Sequence, residues 1–90
     1  MSIQRAVPLI TVSDLDAAIE AYRRITGMEV IMNHGWIATL SPPGDRSVQI
    51  SLITSDPTAS VNPSVSVEVD DLDGAYRIAR ESGWEIVHDL

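Results

Sequence analysis

The sequence predicts an α+β fold built from two copies of one unit, each a strand, a helix and three further strands, with the second copy incomplete. The segment Val12–Arg24, VSDLDAAIEAYRR, returns as Val69–Glu81, VDDLDGAYRIARE. The offset is constant, since subtracting 14 from 71 for the aligned Asp14 and Asp71 gives 57. In both copies the apolar residues change from the alternation of a strand to the spacing of a helix, which indicates a duplicated βα unit.

The first copy opens with a strand and a helix. AVPLITV, residues 6–12, is apolar and rich in branched side chains, as a strand requires. Ser13 stands three residues before Asp16, a spacing that suits a capping box at a helix start. Gly27 follows where a helix would end in the left-handed conformation. Between them runs one apolar stripe at helical intervals: Leu15, Ala18, Ile19, Tyr22 and Ile25.

Three strands complete the first copy. MEVIM (residues 28–32) and WIATL (36–40) are short apolar runs that the turn NHG separates. The loop SPPGDR follows, because two prolines and a glycine cannot sustain a strand ladder. SVQISLIT (47–54) then alternates polar with apolar side chains and reads as the last strand. We therefore place the first unit at about residues 6–54.

A linker rich in Ser, Thr, Pro and Asn, residues 55–63, leads to the second unit at residues 64–90. In SVSVEVD, alternation turns the valines to one face and Ser64, Ser66 and Glu68 to the other. WEIVH, residues 84–88, is predicted to be a strand. The predicted inner stripe of the second helix is Leu72, Ala75, Tyr76 and Ala79.

The second unit is expected to lack two strands within this chain. Adding 57 to residues 47–54 places the counterpart of the last strand near 104–111, beyond Leu90. We expect the 90 residues to form a single domain. An unfinished unit leaves an open sheet edge, so we expect either a homodimer, with strand exchange as one form, or a longer natural chain.

Composition narrows the function. A net charge of −7 with six Lys and Arg opposes contact with nucleic-acid phosphates and anionic membrane surfaces. The absence of cysteine excludes disulfides, thiolate metal ligands and thiol catalysis. The start of the chain does not resemble a signal peptide, and no apolar run has the length of a membrane span. These features predict a cytoplasmic protein.

The duplicated phrase, with three strands between its copies, resembles the vicinal oxygen chelate superfamily, which includes glyoxalase, bleomycin resistance proteins and extradiol dioxygenases. The resemblance covers residues 6–88. It implies a curved mixed sheet around a cleft, with the helices outside, and often a dimer whose clefts lie near the subunit interface.

Members of that superfamily typically hold a divalent metal through His, Gln or Glu side chains. The resemblance places one ligand on the first strand of each unit, seven residues before the Asp of the helix-start phrase. Those positions hold Val7 and Ser64 here, and neither is a plausible metal ligand. We therefore predict no metal and no cofactor. His34 and His88, the two histidines, are read as ordinary polar residues.

The resemblance also supplies candidate ligand-binding residues. It directs Ser66 and Glu68 into the cleft, and at the offset of 57 their counterparts are Leu9 and Thr11. Gln49 and Ser51 alternate with apolar neighbours and line the same cleft, and Trp36 can stack on a planar ligand. One apolar wall and one polar wall suit a small amphiphilic molecule. The candidate ligand-binding residues are Leu9, Thr11, Trp36, Gln49, Ser51, Ser66 and Glu68.

The favoured function is binding or sequestration of a small amphiphilic molecule by a protein of the glyoxalase and bleomycin resistance type, without metal or catalysis. One alternative is a metal-dependent lyase or dioxygenase of the same superfamily whose ligands are displaced. The other is a ferredoxin-like regulatory module that binds an amino acid, which would not need the strand at residues 47–54.

Overall fold

The protein is described by a computed structural model for residues 2–87. Five strands form one mixed sheet, and two helices lie outside it. The elements in chain order are β1 (Ile3–Thr11), α1 (Leu15–Thr26), β2 (Glu29–Asn33), β3 (Ile37–Ser41), β4 (Ile50–Ile53), β5 (Val65–Val69) and α2 (Leu72–Glu81). The α+β architecture expected from the sequence is confirmed.

The strand order is β2-β3-β4-β1-β5, so β1 joins the two units. It pairs in parallel with β4 on one side and antiparallel with β5 on the other. Pro8 lies opposite Val65 in the ladder. Val65 is also the residue that corresponds to Pro8 in the second copy of the repeat, because 65 minus 57 is 8. The two copies therefore meet about a local two-fold axis at that pair. The ferredoxin-like alternative is wrong, because β4 lies inside the sheet between β3 and β1.

The core forms where α1 packs across β3 and β4. Strand alternation sends one set of side chains towards the helix and the other to the opposite face of the sheet. The buried cluster under the helix consists of Leu15, Ile19, Ala38, Leu40 and Leu52. Thr39 and Ser51 have the opposite parity and face away from the helix.

The start of α1 differs from the prediction by one residue. Asp14 is the N-cap, and its carboxylate accepts a hydrogen bond of 3.1 Å from the backbone N–H of Ala17. The predicted capping box between Ser13 and Asp16 is therefore wrong, because Asp14 caps the helix as an equally good acceptor. Gly27 ends the helix with φ of 74°, as predicted. Ile25 is exposed although it belongs to the predicted stripe, because it lies in the last turn beyond the strands.

The inner stripe predicted for α2 is not buried. Leu15 is 7% exposed, whereas its counterpart Leu72 (15 plus 57) is 59% exposed. Gly74 is the one buried residue of the helix, and α2 makes little contact with any strand of residues 2–87. The reason is topological, since α1 covers β3 and β4 and the described chain has no counterparts of those strands.

Two predicted strands also differ. Only Ile50–Ile53 of the predicted segment 47–54 pairs as a strand, because Gln49 and the preceding loop residues bond locally instead. The predicted strand at residues 84–88 does not form over 84–87, and His88 lies outside the described residues. Neither helix within residues 2–87 combines the length and the apolar character that crossing a membrane requires.

Replacing Leu52 with Ala tests the core. Leu52 is fully buried beneath α1, so the cavity left by the shorter side chain should lower the free energy of unfolding by about 3 kcal/mol. Ile25→Ala shortens an exposed side chain of α1, so it should change the free energy of unfolding by about 0.5 kcal/mol or less. Urea unfolding followed by circular dichroism measures both. Equal losses in the two variants would contradict this assignment of the core.

The end of β5 is tied to the start of β1 through Asp70. Its carboxylate accepts hydrogen bonds of 2.8 Å from both the backbone N–H and the hydroxyl of Ser2. The backbone bond, and then the hydroxyl bond, lower the pKa of Asp70 below its ordinary value of 3.8. Because the folded pKa is the lower one, this stabilisation is present above pH 3.8 and is lost as the pH falls through the folded value.

Asp70→Ala should therefore unfold at lower urea concentration than the unchanged protein at neutral pH. The difference should shrink as the pH falls through the lowered folded pKa, because below it the carboxyl is protonated in both states. Urea midpoints measured across this pH range provide the test. A difference that stays constant down to the lowest pH would show that the carboxylate is not the stabilising group.

Candidate functional site

The sheet face opposite α1 carries a cleft of about 270 Å³. Residues of all five strands line it, together with two residues that lie next to strands, Gln49 and Pro63. One cleft can be lined by all five strands because the sheet curves. The lining residues are Arg5, Val7, Leu9, Met32, Ile37, Thr39, Gln49, Ser51, Pro63, Val65 and Ser66. This volume is just below the range that is usual for small-molecule sites. The cleft therefore suits a compact ligand.

The centre of the cleft is apolar. Val7 is buried on β1 and lies opposite Ser66 of β5 in the antiparallel ladder. Leu9, two residues further along β1, faces the same way and lies beside Ser51 of β4. Met32 adds a flexible thioether from β2. Apolar surface from β1 and β2 therefore faces the cleft, and its burial against a ligand would favour binding.

A pair of buried hydroxyls forms the floor between β3 and β4. Thr39 and Ser51 are opposed in the ladder, and their side-chain oxygens are 2.7 Å apart. Each hydroxyl satisfies the other, so neither pays the cost of an unpaired buried polar group. A hydroxyl can donate one bond and accept two, so the pair keeps acceptor capacity for a ligand donor.

A charged cluster lies at one end of the cleft. The Arg5 guanidinium donates a hydrogen bond of 2.9 Å to Gln49 Oε1 and lies 3.6 Å from a carboxylate oxygen of Glu68. The Gln49 amide nitrogen donates to the carbonyl oxygen of Arg46 at 2.7 Å. The Arg5–Glu68 pair is roughly half exposed, so it adds little to stability. Its position allows the guanidinium to meet an acidic or polar ligand group at the cleft mouth.

The seven predicted site residues fall into two groups. The first group lines the cleft and consists of Leu9, Gln49, Ser51 and Ser66. Glu68 is not in the lining but forms an ion pair with Arg5, which is. Thr11 and Trp36 are not part of this lining. Their recorded contacts are structural.

Those structural contacts tie loops to strand ends. The Thr11 hydroxyl accepts a hydrogen bond of 3.1 Å from the side chain of Asn62 in the linker. The Trp36 carbonyl accepts from the backbone N–H of Thr54 at 2.9 Å, which closes the end of the β3–β4 pair.

Sequence reasoning did not assign seven of the lining residues to the cleft: Arg5, Val7, Met32, Ile37, Thr39, Pro63 and Val65. Arg5 precedes Val7 by two residues, so strand parity alone would have placed it on the cleft face. On β3, alternation places Thr39 on the face opposite that of the buried Ala38 and Leu40. Ile37 shares the parity of Thr39, and Met32 lies opposite Thr39 in the β2–β3 ladder, so both residues lie on the cleft face.

The residues present do not fit the divalent metal typical of the superfamily. Val7 offers no donor atom, and the Ser64 backbone carbonyl is engaged by the N–H of Leu9 at 2.9 Å. Gln49 Oε1 accepts from a guanidinium, whose positive charge opposes a cation at that point. Within residues 2–87 no three His, Asp or Glu side chains are arranged to hold a metal ion. His34 lies exposed in the β2–β3 turn, outside the cleft lining.

The resolved pKa shifts lie away from the cleft. Hydrogen bonds from the Ser47 hydroxyl and backbone N–H lower the pKa of Asp45, which organises the loop before β4. Asp70 is the other acidic residue with a lowered pKa, through Ser2. Both carboxylates act as local hydrogen-bond acceptors that fix loop ends.

Comparison with known proteins agrees with this architecture. The crystal structure of methylmalonyl-CoA epimerase from Mycobacterium tuberculosis has a similar fold, with a TM-score of 0.57 and 25% sequence identity. The similarity covers 98% of this chain and 68% of the epimerase chain. No protein of curated function matches the sequence significantly.

The model of one family matches residues 3–90, which is nearly the whole chain. Its description is the glyoxalase/bleomycin resistance protein/dioxygenase superfamily. The match agrees with the duplicated helix-start phrase and with the order of the strands around β1. The chain therefore belongs to the glyoxalase/bleomycin resistance protein/dioxygenase superfamily, the vicinal oxygen chelate group.

Proposed function

We propose that the protein binds a small amphiphilic molecule in the cleft, without a metal ion, and acts by sequestration. The observation that carries this proposal is the buried Val7 at the first-strand position where the superfamily resemblance places a metal ligand. Val7 and Leu9 supply apolar contact, while Gln49, Ser51 and Ser66 offer hydrogen bonds. Glu68 holds Arg5 at the cleft mouth. The ligand would place its polar end near Arg5 and its apolar end over Val7.

An enzyme of the same superfamily is the second candidate, because the similar solved structure is that of an epimerase. A metal-dependent lyase or dioxygenase would need donors other than those in the described cleft. Gln49 is the one lining residue with an amide oxygen, and it is held by Arg5 and Arg46. The cleft residues therefore support binding better than metal-assisted chemistry.

We further propose that the protein acts in the cytoplasm as a homodimer. The acidic composition and the absence of cysteine are compatible with a reducing compartment. The exposed apolar residues of β5 and α2 favour association over a solitary chain.

Binding can be tested with octanoate, which has one charged and one apolar end. In an NMR titration of the ¹⁵N-labelled protein, the backbone amides of Leu9, Ser51 and Ser66 should shift, and those of α1 should not. Leu9→Ala and Gln49→Ala should each weaken binding by about tenfold, because each removes a direct contact. Thr11→Ala, outside the cleft lining, should leave the affinity unchanged. Shifts confined to α2, or equal effects of all three variants, would contradict this site.

Metal content separates the two candidate functions. The purified protein, prepared without chelators and analysed by inductively coupled plasma mass spectrometry, should contain divalent metal well below one ion per chain. Addition of Co²⁺ should give no visible absorption band, because the cleft lacks a set of ionisable donors. Stoichiometric metal that shifts the resonances of the cleft residues would favour the enzyme instead.

A further inference from the structure

Within residues 2–87, Arg5 is the one charged residue that lines the cleft. The other lining residues are apolar or carry neutral hydroxyl and amide groups. Because no carboxylate belongs to the lining itself, the guanidinium makes its end of the cleft positive. This distribution of charge indicates a ligand with an acidic group and distinguishes it from a ligand that is merely polar.

Arg5 stands at the head of a row of cleft-facing residues on β1. Strand alternation places Arg5, Val7 and Leu9 on one face, with about 7 Å from each residue to the next. An apolar tail that lies along β1 would cover Val7 and Leu9 while its head group contacts the guanidinium. The order of charge and apolar surface therefore fits a molecule with one acidic end.

Gln49 holds the guanidinium in position. The Gln49 amide nitrogen donates a hydrogen bond of 2.7 Å to the carbonyl oxygen of Arg46, which sets the orientation of the amide. The amide oxygen consequently faces Arg5 and accepts a hydrogen bond of 2.9 Å from it. Because the guanidinium is fixed before a ligand arrives, less conformational freedom is lost when the ligand binds.

The guanidinium has hydrogen-bonding capacity left for a ligand. A guanidinium carries several N–H donors in a planar fork, and the hydrogen bond to Gln49 uses one of the donors of Arg5. The carboxylate of Glu68 lies 3.6 Å from Arg5, which is beyond hydrogen-bond distance. A ligand carboxylate can meet such a fork with two parallel hydrogen bonds, whereas a neutral amide offers one acceptor oxygen and no charge.

Glu68 stands where a ligand carboxylate would approach Arg5. It lies directly opposite Arg5 in the β1–β5 ladder, so the two side chains share the cleft face of the sheet. The Glu68 side chain is 56% exposed, so water solvates its carboxylate when the ion pair opens, and the pair is weak. An acid that reaches the guanidinium therefore replaces a long ion pair with one of better geometry.

We propose that Arg5 makes the cleft selective for monocarboxylic acids, and that Glu68 is an internal carboxylate which the ligand displaces. One negative charge on the ligand is favoured over two, because Glu68 stays on the neighbouring strand and the chain carries a net charge of −7. This inference rests on the proposed binding function. It adds the chemical class of the ligand and the residue that selects this class.

Octanoate and octanamide test the selectivity, because they share the apolar tail and a planar head group and differ in charge. In NMR titrations of the ¹⁵N-labelled protein at neutral pH, octanoate should bind about tenfold more tightly, the gain expected from hydrogen bonds to a charged group. Equal affinities at the cleft would overturn the selectivity and leave binding of amphiphiles intact. If neither ligand shifted the cleft resonances, the proposed function would itself be wrong, and this inference with it.

Arg5→Gln should weaken octanoate binding by about tenfold and leave octanamide binding unchanged, so that the preference for the acid disappears. Arg23→Gln is the matched control, because it removes the same charge from the chain. Arg23 pairs with Glu20 on α1, which packs on the sheet face opposite the cleft. This control should keep the preference. Loss of the preference in both variants would assign it to the overall charge and would overturn the role of Arg5.

Glu68→Gln removes the internal carboxylate and should raise the octanoate affinity by about two- to fivefold, the strength of an exposed ion pair, without changing that of octanamide. Glu20→Gln is its control, because Glu20 also pairs with an arginine and its side chain is similarly exposed. That variant should bind both ligands unchanged. Circular dichroism confirms that every variant is folded. Weaker octanoate binding by Glu68→Gln would show that Glu68 supports Arg5, and would overturn its role as the displaced carboxylate.

Discussion

The structure depends on the pairing of β1 with strands on both of its sides. One side of β1 holds β4 in parallel, which completes the first unit and lets α1 cover β3 and β4. The other side holds β5 antiparallel, which brings the second copy of the repeat into the same sheet. Because side chains alternate along a strand, the same pairing decides which residues face the cleft. The fold, the cleft and the open edge of the sheet therefore all follow from the pairing of β1.

The cleft combines a superfamily architecture with side chains that do not suit a cation. Val7 contributes a buried isopropyl group, and the hydroxyls of Thr39 and Ser51 satisfy each other. Arg5 adds a positive charge that competes for the Gln49 oxygen. With these side chains, the proposed ligand would be selected by shape, apolar area and hydrogen bonds. On the β5 side, Val65 and Ser66 border this same cavity.

Sequence alone predicted the elements governed by local rules. The helix stripe around Leu15 and Ile19, the end of α1 at Gly27, and the presence of a strand at Val65–Val69 all follow from local residue spacing. Four of seven predicted cleft residues line the cavity, because parity is a local property. The predictions that differ from the structure concern residues whose burial depends on contacts with segments far away in the sequence. Leu72 and the segment 84–87 carry the right pattern, but their burial requires strands that the described chain does not provide.

Pro8, a residue without a backbone N–H group, has a consequence for the pairing of the two copies. Pro8 sits at the local two-fold axis, in a pair that requires no N–H. The pyrrolidine nitrogen points away from β5, so it takes no bond out of the β1–β5 ladder, whereas a slip of β5 by a single residue would turn Ser66 towards the helices. A proline is therefore tolerated at the centre of the joined repeats, and the correct alignment of β5 is selected by which of its side chains reach the cleft.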